Sequence, residues 1–137
     1  MTGKTMNDEK RMHSDKELYR EAKKATVNAY APYSGFRVGA CVETADGEIF
    51  TGVNIENSSY PAGICAERSA MSAAVSAGAR EFRAVAVCSE NGSAWPCGVC
   101  RQFIFEFGED IAVISGENED HLERYTISEL LPKGFRL

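Results

Sequence analysis

No run of apolar residues in this sequence approaches the ~18 that a membrane span requires, and the first residues lack the short apolar core of a secretion signal. The chain is therefore expected in the cytoplasm, with no membrane partner. Positive charge is also scarce. Fifteen basic residues face 20 acidic ones, a net charge of −5, so there is no broad cationic field to hold a phosphate backbone. Nucleic acid is excluded as the main ligand. Histidine occurs only at His13, in a charged N-terminal stretch, and at His121, in an expected turn, and neither reads as a metal ligand. No internal repeat or low-complexity tract is found.

What remains is an ordinary globular mix. With 44% hydrophobic and 26% charged residues, 137 residues suffice for one domain with a real core. Residues 1–13 carry charge without an apolar period and are expected to form a mobile arm, leaving 14–137 as a single domain. Ser14 and Glu17 have the spacing of a capping box, and Leu18, Ala22, Ala25 and Ala29 recur at helical spacing up to about Tyr30. Two apolar runs, 36–43 and 48–53, flank Asp46-Gly47 and predict an antiparallel hairpin. Cys65 to Gly78 predicts a helix, 82–88 a strand, Pro96 to Gly108 a helix, and 111–115 and the region of Tyr125 two further strands. Thr126 and Glu129 repeat the capping-box spacing before a last helix. The order predicts an α/β fold, a three-layer α-β-α sandwich with a mixed five-stranded sheet.

Five cysteines, an odd number without a secretion signal, argue for thiols or metal ligands over disulfides. Cys41 and Cys88 sit inside apolar strands and read as buried structural thiols. Cys97 and Cys100 lie three apart behind Pro96, so both sulfurs leave one helix face. Alone, that spacing fits a zinc site, a redox dithiol or two small buried hydrophobes. Cys65 and Glu67, opening another helix, favour the metal, because a dithiol oxidoreductase needs neither. Three thiolates at about 2.3 Å from zinc leave one tetrahedral position for water, and helix N-termini favour anionic sulfur. Arg68, three residues past Cys65, can offset the thiolate charge, and Glu67 is close enough to move protons. A zinc-stabilised module without turnover and a metal-free dithiol enzyme remain the other classes these residues allow.

Cys65-Ala66-Glu67 followed by Pro96-Cys97-Gly98-Val99-Cys100 resembles the zinc nucleoside and nucleotide deaminase superfamily, whose sites combine a Cys/His-x-Glu with a later Pro-Cys-x-x-Cys. The segments AYAPYSGFRVGA at 29–40, GVNIENSSYPAGICAERSA at 52–70, CRQ at 100–102 and ELLP at 129–132 narrow the resemblance to the small homotetrameric cytidine deaminases, over about residues 15–137. The resemblance implies hydrolytic deamination of cytidine and 2′-deoxycytidine to uridine and 2′-deoxyuridine in pyrimidine salvage, with release of ammonia. It implies one zinc per chain on Cys65, Cys97 and Cys100, attack at C4 by zinc-activated water, and Glu67 as proton shuttle. It further implies that Asn54 and Glu56 bind the ribose hydroxyls, Phe36 packs on the pyrimidine and Ala66 lies where the base is read through backbone groups. Tyr60 and Phe135 would reach a neighbouring subunit's pocket in the tetramer. Asn54 and Glu56 suit the sugar on their own account, since positions i and i+2 of an extended segment point the same way. The alternative substrate is a modified cytosine nucleoside such as blasticidin S, whose deaminase shares the zinc motifs and an ELLP-like tail. Trp95 and Ser58-Ser59 depart from the family's usual residues, at the pocket rim and away from the ligands.

Overall fold

Side chains alternate along three central strands, and that alternation sorts them into two cores. The computed structural model describes residues 12–137, so residues 1–11 of the expected arm lie outside it. The strands are β1 (Val38–Thr44), β2 (Ile49–Val53), β3 (Phe82–Ser89), β4 (Gly92–Ser93), β5 (Ala112–Asn118) and β6 (His121–Thr126). The helices are α1 (Asp15–Ala25), α2 (Ala66–Ser76), α3 (Gly98–Phe105) and α4 (Ile127–Leu130). Val38, Ala40, Val42, Val85, Val87 and Val113 face α2, α3 and α4 through Ala70, Met71, Ile104 and Ile127. Cys41, Ala84, Ala86, Cys88 and Ile114 face α1 through Leu18, Tyr19 and Ala22. A sheet covered on both faces needs apolar residues at nearly every central position, which is why these strands read as continuous apolar runs.

The sheet order is β2-β1-β3-β5-β6, with β3 and β5 parallel and the other neighbours on this path antiparallel. This is the expected mixed three-layer sandwich, with one more strand than the five predicted. Gly92 and Ser93 fold back on β3 as β4, in a turn where Ser89 Oγ accepts from Asn91 N at 3.2 Å. Two residues, one of them glycine, leave no apolar pattern to read. The first helix also stops earlier than its spacing predicts. After Ala25 a 3₁₀ turn at Thr26–Asn28 carries the chain to an extended Ala29. Both capping boxes form reciprocally, Ser14 with Glu17 and Thr126 with Glu129. His13, just before α1, packs on the fully buried Glu43. Its backbone N–H donates to Glu43 Oε2 at 2.8 Å and its Nδ1 lies 2.6 Å from the same oxygen, while Arg83 donates to Oε1.

Gly52 sets how closely α2 can approach the sheet. A Cβ there would stand 2.3 Å from the Ala70 amide nitrogen and 2.8 Å from Ala66 O, both backbone atoms that cannot swing aside. Gly52→Ala should therefore push α2 off β2 and destabilise the fold by about 2–3 kcal/mol, the range of core overpacking. At Gly98 an added Cβ meets nothing within 4 Å. Urea unfolding of the two alanine variants checks this: Gly98→Ala should match the parent, and equal behaviour of both would contradict the packing.

Candidate metal centre

Two helices begin at cysteines. Cys65 is the N-cap of α2 (φ −81°, ψ 158°) and Cys97 that of α3 (φ −70°, ψ 175°), and neither side chain is used to cap its helix. The unpaired first-turn amides and positive helix ends therefore remain available to anionic sulfur. Cys100, within the first turn of α3, is buried. The extended stretch 54–56 holds α2 in place. Its Ile55 exchanges backbone hydrogen bonds with Ile64, beside Cys65, at 2.9 and 3.0 Å, and on its other side Tyr30 N donates to Asn54 O at 3.0 Å.

These elements bring the sulfurs of Cys65, Cys97 and Cys100 within 4.8 Å of one another, with Cys65 and Cys97 3.9 Å apart. Zinc–sulfur bonds of ~2.3 Å in a tetrahedron put sulfurs roughly 3.8 Å apart, so the donor set fits zinc. Among the described residues, no histidine, carboxylate or further cysteine joins the cluster. Cys41 and Cys88 lie elsewhere, in the core facing α1, where burial pushes their thiols up to about 12 and about 11.

The electrostatics favour thiolate at one corner. Hydrogen bonding to Cys100, aided by Arg68 and Cys97, holds the Cys65 thiol down at about 5 against the effect of burial. The partner in that bond moves the other way: Cys100 is pushed well up by Cys65 and by burial. Arg68 Nη2 donates to Cys65 Sγ at 3.8 Å, while its buried Nε has no hydrogen-bond partner. Glu67, in the first turn of α2, is only 4% exposed. Burial pushes its carboxyl up to about 7, the Cys65 charge adds to the shift, and Arg68 opposes it.

With this centre in view, a family model described as "Cytidine and deoxycytidylate deaminase zinc-binding region" matches residues 12–116. The chain belongs to the cytidine and deoxycytidylate deaminase family. It is similar to the cytidine deaminase of Sporosarcina psychrophila, 46% identical over 121 residues that cover 87% of this chain and 89% of the relative. The cytidine deaminase of Halalkalibacterium halodurans is 42% identical over 120 residues, covering 86% and 91%. A crystal structure of cytidine deaminase from Burkholderia pseudomallei superposes with a TM-score of 0.84 at 42% identity, covering 90% of this chain and all of that one.

Beside the metal corner of this deaminase opens a cavity of about 550 Å³, running from Cys65 and Arg68 past Asn54 and Glu56 to Tyr60. Asn54 and Glu56 thus share one wall, and each is already partly engaged. Asn54 Oδ1 accepts from Val38 N at 2.9 Å and its Nδ2 donates to Phe36 O at 2.8 Å. Glu56 accepts from Tyr33 N at 2.9 Å, Ser34 N at 3.1 Å and the Ser34 hydroxyl, and the Ser34 bond holds its carboxyl below the usual range. Tyr33 and Ser34 line the same cavity; both lie in the 29–40 motif, which gave neither of them a role. Phe36, 51% exposed, stands outside the lining, as do the fully buried Ala66 and the 66% exposed Phe135. Tyr60, 83% exposed, sits at the rim. Of the two departures from the family pattern, Ser58 Oγ lies 2.6 Å from the Tyr33 hydroxyl, and Trp95 packs edge-on against Tyr125.

Proposed function

We propose that the protein hydrolyses the C4 amino group of cytidine and 2′-deoxycytidine, giving uridine or 2′-deoxyuridine and ammonia. The observation that carries this reading is the three-sulfur cluster, whose Cys65 lines a nucleoside-sized cavity and stands two residues from the buried Glu67 carboxyl; Glu67, Cys97 and Cys100 lie outside that lining. Cys65, Cys97 and Cys100 would hold zinc. When bound, the ion supplies Lewis acidity that makes water a competent nucleophile at neutral pH. The chain's own residues then handle protons. Glu67 takes one from the attacking water, delivers it to N3 of the cytosine ring, and relays a second from the added hydroxyl to the departing amino nitrogen. A carboxyl near pH 7 gives and takes protons with comparable ease, which suits one group to both roles. Arg68 offsets the negative charge of the sulfurs.

Along the cavity wall, Asn54 and Glu56 meet the sugar. One amide N–H and one lone pair of Asn54 stay free after its backbone bonds, and three of the ~four acceptor positions of Glu56 are occupied, so Asn54 keeps a donor and an acceptor for the hydroxyls and Glu56 about one acceptor. Phe36 packs against the base, and Tyr60 and Phe135 act through assembly, entering neighbouring pockets of a homotetramer. Their exposure in the single chain, and the position of Phe135 outside its own cavity, support this. Ala66, at the head of α2, presents its backbone to the base. A reducing cytoplasm suits the reading, because it keeps three metal-ligating thiols unoxidised. The described helices include none long and apolar enough to cross a membrane.

The same wall selects nucleosides over nucleotides. Among the described residues Arg68 is the only cation lining the cavity, and it is turned to sulfur, while Glu56 presents negative charge. A 5′-phosphate would lose water there without gaining a partner, so 2′-deoxycytidine 5′-monophosphate should show a kcat/KM about 10²-fold or more below that of 2′-deoxycytidine. Ammonia release from cytidine, 2′-deoxycytidine, the monophosphate and blasticidin S, measured side by side on zinc-loaded protein, tests the reading. Preference for the monophosphate or for blasticidin S would replace the assigned substrate.

A further inference from the structure

The loop that delivers Cys97 is pinned from outside the metal cluster. Ala94 N donates to Ser115 Oγ on β5 at 3.1 Å, and the Trp95 indole meets the Tyr125 ring of β6 with centroids 5.5 Å apart. The third pin is Arg101. Its Nε donates to Pro96 O, one residue before Cys97, at 2.8 Å, and its Nη1 donates to Leu130 O, the last residue of α4, also at 2.8 Å. Cys97 is the exposed member of the three cysteines, so its sulfur depends on its own loop for placement more than the buried Cys100 does. A half-buried guanidinium gives short, charge-assisted bonds in a fixed fork, which suits it to holding two carbonyls from separate segments at one spacing.

We propose that Arg101 is the positioning residue for the Cys97 corner, and that the docking of α4 through its Leu130 carbonyl thereby helps set how tightly the protein holds zinc. Arg101 donates to no sulfur; it acts through the Pro96 carbonyl. The coupling is reciprocal, so zinc at the cluster also steadies α4. The turn 100–102 then does three jobs at once: Cys100 supplies a sulfur, Arg101 ties the loop to α4, and Gln102 Nε2 donates to Phe135 O at 3.1 Å in the C-terminal tail.

The test is zinc release from loaded protein into a chromogenic chelator, alongside the thiolate-to-cobalt charge-transfer band of cobalt-loaded protein. Arg101→Ala should release zinc about tenfold faster or more, the scale on which outer hydrogen-bond partners tune metal sites, and should alter the cobalt band. Arg101→Lys, which cannot span both carbonyls with a fork, should fall between it and the parent. Thr126→Ala removes the cap of α4 and should speed release about threefold or more, with Thr126→Ser restoring it. Ser14→Ala removes the same kind of cap from α1 on the opposite face of the sheet and should leave release unchanged. Parent-like release and an unchanged cobalt band in Arg101→Ala would overturn the proposal, as would equal acceleration by Thr126→Ala and Ser14→Ala. Should Arg101→Ala fail to fold, the Arg101→Lys and Thr126 variants decide on the same terms. The inference rests on the three sulfurs taking up zinc. A parent protein that takes up none removes that reading, whereas parent and variants releasing zinc at one rate remove only the role of Arg101.

Discussion

Glu67→Gln is expected to keep its zinc and to lose about 10²–10⁴-fold in turnover, the usual contribution of a positioned acid–base group. The substitution preserves the shape of the side chain and removes its ability to accept or deliver a proton. Glu67 is not one of the clustered donors, so metal analysis should still find one zinc per chain. The loss should fall on kcat, since the carboxyl acts on the reacting atoms rather than on the sugar. Loss of zinc together with activity would make Glu67 a ligand, and near-parent turnover would remove it from the mechanism. Burial is what makes the residue suited to the work. An exposed glutamate is fully ionised near neutral pH and reprotonates poorly, whereas this one is pushed up to about 7 mainly by its surroundings.

The second large effect is on the metal. Cys100→Ala should abolish stoichiometric zinc binding and lower the unfolding temperature. Cys100 is wholly buried and lies on α3 behind the site, so a water molecule cannot readily take its place. Two sulfurs then remain, and the stabilisation supplied by binding disappears. For free zinc ~1,000-fold above its dissociation constant, that stabilisation is ~4 kcal/mol. Calorimetry with and without a chelator separates this from loss of packing. Chelation should lower the melting temperature of the parent towards that of the variant and leave the variant where it was. A variant that holds zinc like the parent, or a parent indifferent to chelation, would contradict the assignment.

The metal centre was legible in the sequence because coordination chemistry restricts both residue type and spacing. Cys65, Cys97 and Cys100 could be chosen from five cysteines by their positions at helix starts, and Cys41 and Cys88 set aside by their apolar strands. The layers were legible for a similar reason: strands buried on both faces and two capping boxes leave strong local marks. What escaped is non-local. Ser34 holds Glu56 across 22 positions and Arg101 reaches Leu130 across 29, and nothing in either neighbourhood signals the other end. Asn54 shows the same limit. It lines the cavity beside Glu56, yet half its hydrogen-bonding capacity goes to the backbone of Phe36 and Val38, residues distant in sequence. The early end of α1 and the two-residue β4 escaped because each depends on a local turn with no apolar period.

The most direct test of the account is turnover of cytidine by zinc-loaded protein in water enriched in heavy oxygen, with uridine analysed by mass spectrometry and ammonia counted in the same sample. The account predicts heavy oxygen at C4 of every uridine formed and one ammonia for each. Zinc-loaded protein that leaves cytidine unchanged, or uridine formed without the solvent label, would contradict it.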